Sequence, residues 1–295
     1  MELDPRVHRM LRLLVLVLTV VGGAWAVAFA VVAASDQFVY DAHAYWAVDP
    51  STAYLLPEGN PDAMLYAPPV MFVFSLFHAV PWPVFATVWS VLVALAITVM
   101  AGPFTLPAML TNPIASEVTL GNIHAFTGLL ATAGLRKPAL WALILLTKVT
   151  PGVGLLWFVF RREWRSLGIA LAATAVLAVP TLIVAPELWV RWVQALMAAG
   201  HAGEYASGIL AVPLWVRLSI AVVILWVGAR RDWAWVVPIA VTLGLPVLWD
   251  HGLAIALASI WLASHPNWVP RRMTAAPQAA ADAPSPLVLG PAGPD

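Results

Sequence analysis

Residues 11–34 read LRLLVLVLTVVGGAWAVAFAVVAA, an apolar run with Arg6 and Arg9 before it and Arg12 at its start. A bilayer core about 30 Å thick is crossed by roughly 20 such residues in a helix. The run is therefore long enough to span a membrane. It is also longer than the 7–15 or so apolar residues of a secretory signal, which reads as an uncleaved first span over about 11–33. The rest of the chain continues in kind, with 62% of its 295 residues hydrophobic and 10% charged. Soluble domains carry about 25% charged residues. The fold class is all-α, a polytopic transmembrane bundle expected as one domain over 1–266. An Ala/Pro-rich cytoplasmic tail, 267–295, lacks the apolar content to pack and is expected to be disordered.

Fifteen basic and fifteen acidic residues balance to zero, which gives no general attraction to nucleic acid. The absence of cysteine removes disulfides and thiolate catalysis. The histidines are not spaced as a metal site, so no metal ligands are assigned. No internal repeat is visible.

Basic residues near span ends mark the cytoplasmic side. From a cytoplasmic N-terminus the first span delivers residues 34–65 outside, a loop with Asp36, Asp41, Asp49, Glu58 and Asp62 and no Lys or Arg. The apolar pattern then predicts a return span over 66–80 to Pro81-Trp82-Pro83, an outward span over 84–101, and an external or interfacial stretch over 102–120. Gly121 to Leu135 returns to Arg136 and Lys137. The next basic cluster, Arg161, Arg162 and Arg165, follows too soon for a full crossing and return. The break at Lys148-Val149-Thr150-Pro151-Gly152 resolves this as a short hairpin, because Pro and Gly end one half-helix and begin another. Irregular backbone at membrane depth is tolerated only inside protein or beside water, which places Lys148 at a cavity. A span over 166–185, a Trp-rich interfacial helix at the start of 186–207, and spans over 208–228, 233–249 and 252–264 bring the count to about ten. Both termini are then cytoplasmic, and twelve of fifteen Lys and Arg residues lie on that side.

A charge held at the bilayer centre costs about 2.5–3.5 kcal/mol on the insertion scale. The polar groups outside the basic clusters are therefore the candidates for function. Asp36, Asp41, His43, His124, Lys148, Arg217, Asp250 and His251 fall toward the outer half or the bundle interior. If 36–46 is helical, Asp41, Ala44 and Tyr45 share a face, while Asp36, five residues earlier, points elsewhere. Asn122 stands where it could cap a helix. Lys148 and Arg217 are candidate phosphate ligands, and Arg217 could equally snorkel or pair with Glu204. His201 and His251 are candidate acid–base or anion contacts.

Asp41-Ala42-His43-Ala44-Tyr45-Trp46, Tyr66-Ala67-Pro68-Pro69, Leu120-Gly121-Asn122-Ile123-His124, Lys148-Val149-Thr150-Pro151 and Arg161-Arg162-Glu163-Trp164-Arg165 occur in that order. The series resembles actinobacterial members of glycosyltransferase family 87, membrane enzymes similar to the polyprenyl-phosphate-mannose-dependent mannosyltransferases, over about residues 11–265. The resemblance implies a GT-C type fold in the plasma membrane, with an active site facing outside. It further implies a lipid-linked sugar donor, a lipid or glycan acceptor and an aspartate base in the first external loop. Asp41 matches the acid before the Ala-Tyr-Trp pattern, and Asp36 matches a related Asp-x-x-Val-Tyr pattern. Lys148, Arg217, His43, Tyr66, Asn122, His124, His201 and His251 are then expected around donor and acceptor. No cofactor beyond the lipid-linked donor is implied, and the metal requirement and oligomeric state stay open. The alternative reading is a transporter or flippase for a lipid-linked or anionic substrate. A third is a non-catalytic partner of envelope enzymes.

Overall fold

The computed structural model describes residues 4–35, 39–56, 60, 62–201, 208–209 and 212–269, and all regular structure among them is helical. Helix α1 (Pro5–Ser35) carries a stripe of small buried residues, Gly22, Gly23, Ala26, Ala30, Ala33 and Ala34. Its Leu and Val side chains are exposed over most of its length. Small residues let two helix backbones approach, and the outward apolar faces meet lipid. Three helical stretches are long and apolar enough to cross a membrane: α1, Trp82–Met109 and Trp164–Val184.

Helix α2 (Tyr40–Ala47) follows, and α3 (Pro68–Ser75) continues through a 3-10 turn, Leu76–Ala79. The sequence predicts a crossing over 66–80, and the structure corrects it. The Tyr66 hydroxyl lies 2.9 Å from that of Tyr45, and the Val80 carbonyl accepts the Trp46 indole N–H at 2.7 Å. Both ends of the stretch thus touch α2, an eight-residue helix only about 12 Å long. A crossing needs about 30 Å. The apolar run instead packs among aromatic rings, with Tyr45 stacked on Phe74 at 4.9 Å and Phe77 tilted against Phe85 at 5.1 Å.

Helix α4 (Trp82–Ala101) consequently starts on the α2 side and runs the opposite way to the expectation. Residues 102–120 are corrected as well. Helix α5 (Thr105–Met109) abuts α1 at Gly22, thirteen residues and so about 20 Å from the end of α1. Helix α6 (Asn112–Leu120) then climbs back to Gly121, which packs on Val39 and Ala42. The stretch thus runs from α1 at Gly22 back to α2, with Thr105, Met109, Ile114, Glu117 and Val118 buried and Phe104 and Leu110 exposed.

Helices α7 (His124–Gly134), α8 (Trp141–Thr147) and α9 (Leu156–Arg161) follow. Gly152 faces Leu145 and Gly154 faces Trp141, the antiparallel pairing of the hairpin that the sequence predicts. Helix α10 (Trp164–Val184) buries only Ala170. Helix α11 (Pro186–His201) is pinned by the Trp192 indole donating to the Leu65 carbonyl at 3.0 Å. Helix α12 (Leu214–Arg231) packs on α13 (Val236–Leu243). A second break then leads through a 3-10 turn, Asp250–Ala256, into α14 (Leu257–Ser264).

The basic residues gather at the end away from α2. Arg161 pairs with Glu163 at 2.5 Å and with Asp232, and Arg136 stacks on Trp268 at 4.6 Å. The Trp268 indole donates to Thr132 and Val269 is buried. The packed body thus reaches past the expected boundary at 266. The tail from residue 270 onward, Arg271 and Arg272 included, lies outside the described residues.

Candidate active site

The short helix α2 sets the first wall of the site. As its spacing predicts, Asp41, Ala44 and Tyr45 share a face, and they line a cavity of about 390 Å³ with Tyr66, Asn122 and Lys148. That volume lies in the range of small-molecule sites. Trp192 and Leu196 of α11, with Leu214 and Trp249, supply an apolar side.

Gly121 brings the opposite wall close. Its φ of 68° is left-handed, a conformation in which a side chain is strained, and a Cβ there would meet Val39 Cγ1 at 2.3 Å. The close approach lets Asn122 Nδ2 donate to Asp41 Oδ2 at 2.6 Å, while Asn122 Oδ1 accepts the Ile123 N–H at 2.7 Å. Burial holds the Asp41 carboxyl above the usual carboxylate range, and the Asn122 hydrogen bond works against that rise.

Lys148 sits where α8 ends. Pro151 has no N–H to offer the carbonyl of Thr147, and Lys148 is extended, at φ −143° and ψ 116°. Its Nζ lies 2.8 Å from His124 Nε2. His124 Nδ1 lies 3.2 Å from Glu117 Oε2, and Glu117 Oε1 accepts the Ala125 N–H at 2.8 Å. Glu117 and His124 are fully enclosed, at 0% and 1% exposure. The His251 ring stacks obliquely 5.1 Å from that of His124, with Nδ1 3.3 Å from Asp250 Oδ1. Asp41, Tyr66, Asn122, His124, Lys148 and His251 are therefore brought together by separate elements.

Two expected site residues, Arg217 and His43, are not, and two more lie outside the described residues. Arg217 is turned away from the cavity. Its Nε donates to the Val212 carbonyl at 3.1 Å, Nη1 to Leu243 and Leu245 at 3.0 and 2.7 Å, and Nη2 to Pro246 at 2.8 Å. In place of a donor phosphate it holds the carbonyls freed where α13 breaks, and no pairing with Glu204 enters, since Glu204 lies outside the described residues. His43, on the other face of α2, bonds Asp62 at 2.6 Å and meets the Trp82 ring edge-on at 4.9 Å. It does not line the cavity. Asp36 and the side chain of His201 lie outside the described residues. Sequence reasoning passed over Glu117. The available signal was a lone acid within the apolar stretch 102–120, where an unpaired charge is costly.

Among the described residues no group of three or more His, Cys, Asp or Glu is arranged to hold a metal ion. The cavity offers a carboxylate, an ammonium, tyrosine hydroxyls and an apolar wall, which suits an amphipathic substrate bearing hydroxyls and an anionic group. Fold and site together define a helical membrane protein with a cavity at one end that joins charged groups to an apolar wall. The model of glycosyltransferase family 87 matches residues 64–277, and the chain belongs to that family. It is a membrane glycosyltransferase, acting between a sugar donor and an acceptor. That membership decides against the transporter reading. No curated protein and no solved structure matches the chain. The family match begins after α2 and does not cover Asp41.

Proposed function

We propose that the protein moves a sugar, mannose by resemblance, from a polyprenyl-phosphate donor to a hydroxyl of a lipid or glycan acceptor. The transfer takes place at the outer face of the plasma membrane, with both termini cytoplasmic, in a GT-C type fold. The observation that carries the reading is that Asp41 and Lys148 face one cavity with a partly apolar wall. Asn122 occupies Asp41 Oδ2, which leaves Oδ1 for the acceptor. Asp41 takes the acceptor O–H proton as that oxygen bonds to the anomeric carbon. The bond from that carbon to the phosphate oxygen breaks, its electron pair leaves with the polyprenyl phosphate, and the configuration inverts. A phosphate leaving group needs positive charge more than a proton, and Lys148 supplies it. Tyr45 and Tyr66 offer hydroxyls to the sugar, and the apolar side accepts the start of the lipid chain.

The test is transfer from labelled polyprenyl-phosphate sugars to a membrane lipid extract by the purified protein. Asp41→Asn keeps the acceptor for Asn122 and removes the base, so transfer should fall about 10²–10⁴-fold. Unchanged transfer in Asp41→Asn together with loss in Asp36→Asn would move the base to Asp36.

A further inference from the structure

No other carboxylate among the described residues is as enclosed as Glu117, at 0% exposure. Its surroundings are directional. Lys148 Nζ lies 2.8 Å from His124 Nε2, and an ammonium has only donors. Nε2 must therefore present its lone pair. The proton of the neutral ring then sits on Nδ1, 3.2 Å from Glu117 Oε2, where the carboxylate accepts it. Glu117, His124 and Lys148 form one chain of hydrogen bonds in which each group fixes the next, ending on an ammonium at the cavity wall.

We propose that Glu117 is a positioning residue. It fixes the tautomer of His124 and so anchors Lys148 Nζ, leaving the remaining N–H groups of Lys148 for an anionic phosphate in the cavity. The phosphate part of this inference rests on the proposed function, whereas the tautomer part does not. Glu117 caps the start of α7, accepting the Ala125 N–H at 2.8 Å. The carboxylate also meets the backbone N–H of His124, and of its contacts the one with His124 Nδ1 is the one that continues to Lys148.

Glu117→Gln separates the two roles. An amide has one acceptor oxygen and one NH2 group. With its oxygen kept on the Ala125 N–H, its NH2 faces His124 Nδ1 and drives the ring proton to Nε2. Lys148 then meets a donor and loses its anchor. The chain contains two lysines, Lys148 and, at the opposite end, Lys137, so Lys137 is an internal reference. The experiment acylates detergent-purified full-length protein with an amine-reactive ester and quantifies both lysines by peptide mass spectrometry. Lys148 in Glu117→Gln should react about threefold faster or more, relative to Lys137, than in wild type. An unchanged ratio in folded variant overturns the proposal.

Should the variant fail to fold, the wild type decides. Its 15N-histidine spectrum should contain a buried neutral ring protonated on Nδ1, within hydrogen-bond coupling of Lys148, and protonation on Nε2 overturns the proposal. A separate arm adds polyprenyl phosphate or inorganic phosphate to wild type before acylation. Protection of Lys148 by polyprenyl phosphate alone supports a lipid-phosphate site, and protection by both supports a general phosphate site. Protection by neither, with the tautomer as stated, overturns the phosphate part and leaves the positioning role standing.

Discussion

Lys148 and Arg217 stand at two helix breaks on the same side of the bundle, and their surroundings differ in kind. Lys148 ends α8 with one side-chain partner, His124 Nε2, and lines the cavity. Arg217 reaches from α12 to the broken end of α13 and donates to four backbone carbonyls. The guanidinium fork matches several carbonyls at once, whereas an ammonium is a compact charge on a flexible stem. The number of donors already engaged, more than the charge itself, separates a cation that can meet a substrate from one that holds the fold.

The contrast is sharpest in stability. Arg217→Ala strands carbonyls at Val212, Leu243, Leu245 and Pro246, at about 1–3 kcal/mol for each that finds no water. Thermal unfolding should show a loss above about 3 kcal/mol, and Arg217→Lys should recover little of it because a single ammonium cannot reach all four acceptors. A stable Arg217→Ala protein with weakened donor binding would erase the distinction. Lys148→Ala should do the reverse, with a melting temperature near that of wild type and transfer lowered about 10²-fold through loss of charge at the leaving phosphate. If unfolding and transfer fall together, Lys148 is a structural cation as well.

The smallest expected effect is in pH dependence, and it concerns the carboxylate opposite Lys148. Burial raises the Asp41 carboxyl above its ordinary value of about 3.9. The base works only ionised, so transfer should decline as pH falls through that raised value, at a higher pH than an exposed aspartate would give. The sign for stability is opposite. A carboxyl whose folded value is raised stabilises the fold fully below its unfolded value and loses that contribution as pH rises through the folded value. Asp41→Asn should then be at least as stable as wild type near neutrality, an advantage that fades toward pH 4 or so. Equal acid limbs of transfer for Asp41 and for a free carboxylate would remove burial from the account.

The two corrected stretches have a common cause. For residues 66–80 and 102–120 the sequence offers apolarity and proline and glycine content, which report that a segment avoids water. They do not report whether it meets lipid or protein. Phe74, Phe77, Phe85 and Trp89 pack on one another beside α2, and a run buried among aromatic rings has the same hydropathy as one in a bilayer. The hairpin at Lys148 is legible because two basic clusters lie too close together for a full crossing and return, a constraint that chain length and charge placement set by themselves.

The sequence by itself determined the helical membrane class, the family, the hairpin break and the face of α2 that carries Asp41. The family rests on a resemblance in the order of its motifs, and the others follow from local periodicity, charge placement or the backbone limits of proline. Only the tertiary structure decided which polar residues meet. Asn122 bonds Asp41 because Gly121 lets α2 close on the start of α7, Glu117 bonds His124 across the turn at Gly121, and Arg217 leaves the site because the carbonyls of a distant break compete for it. Hydrogen-bond partners far apart in the chain are chosen by geometry, and an isolated charge in a sequence carries no record of which acceptor will reach it first.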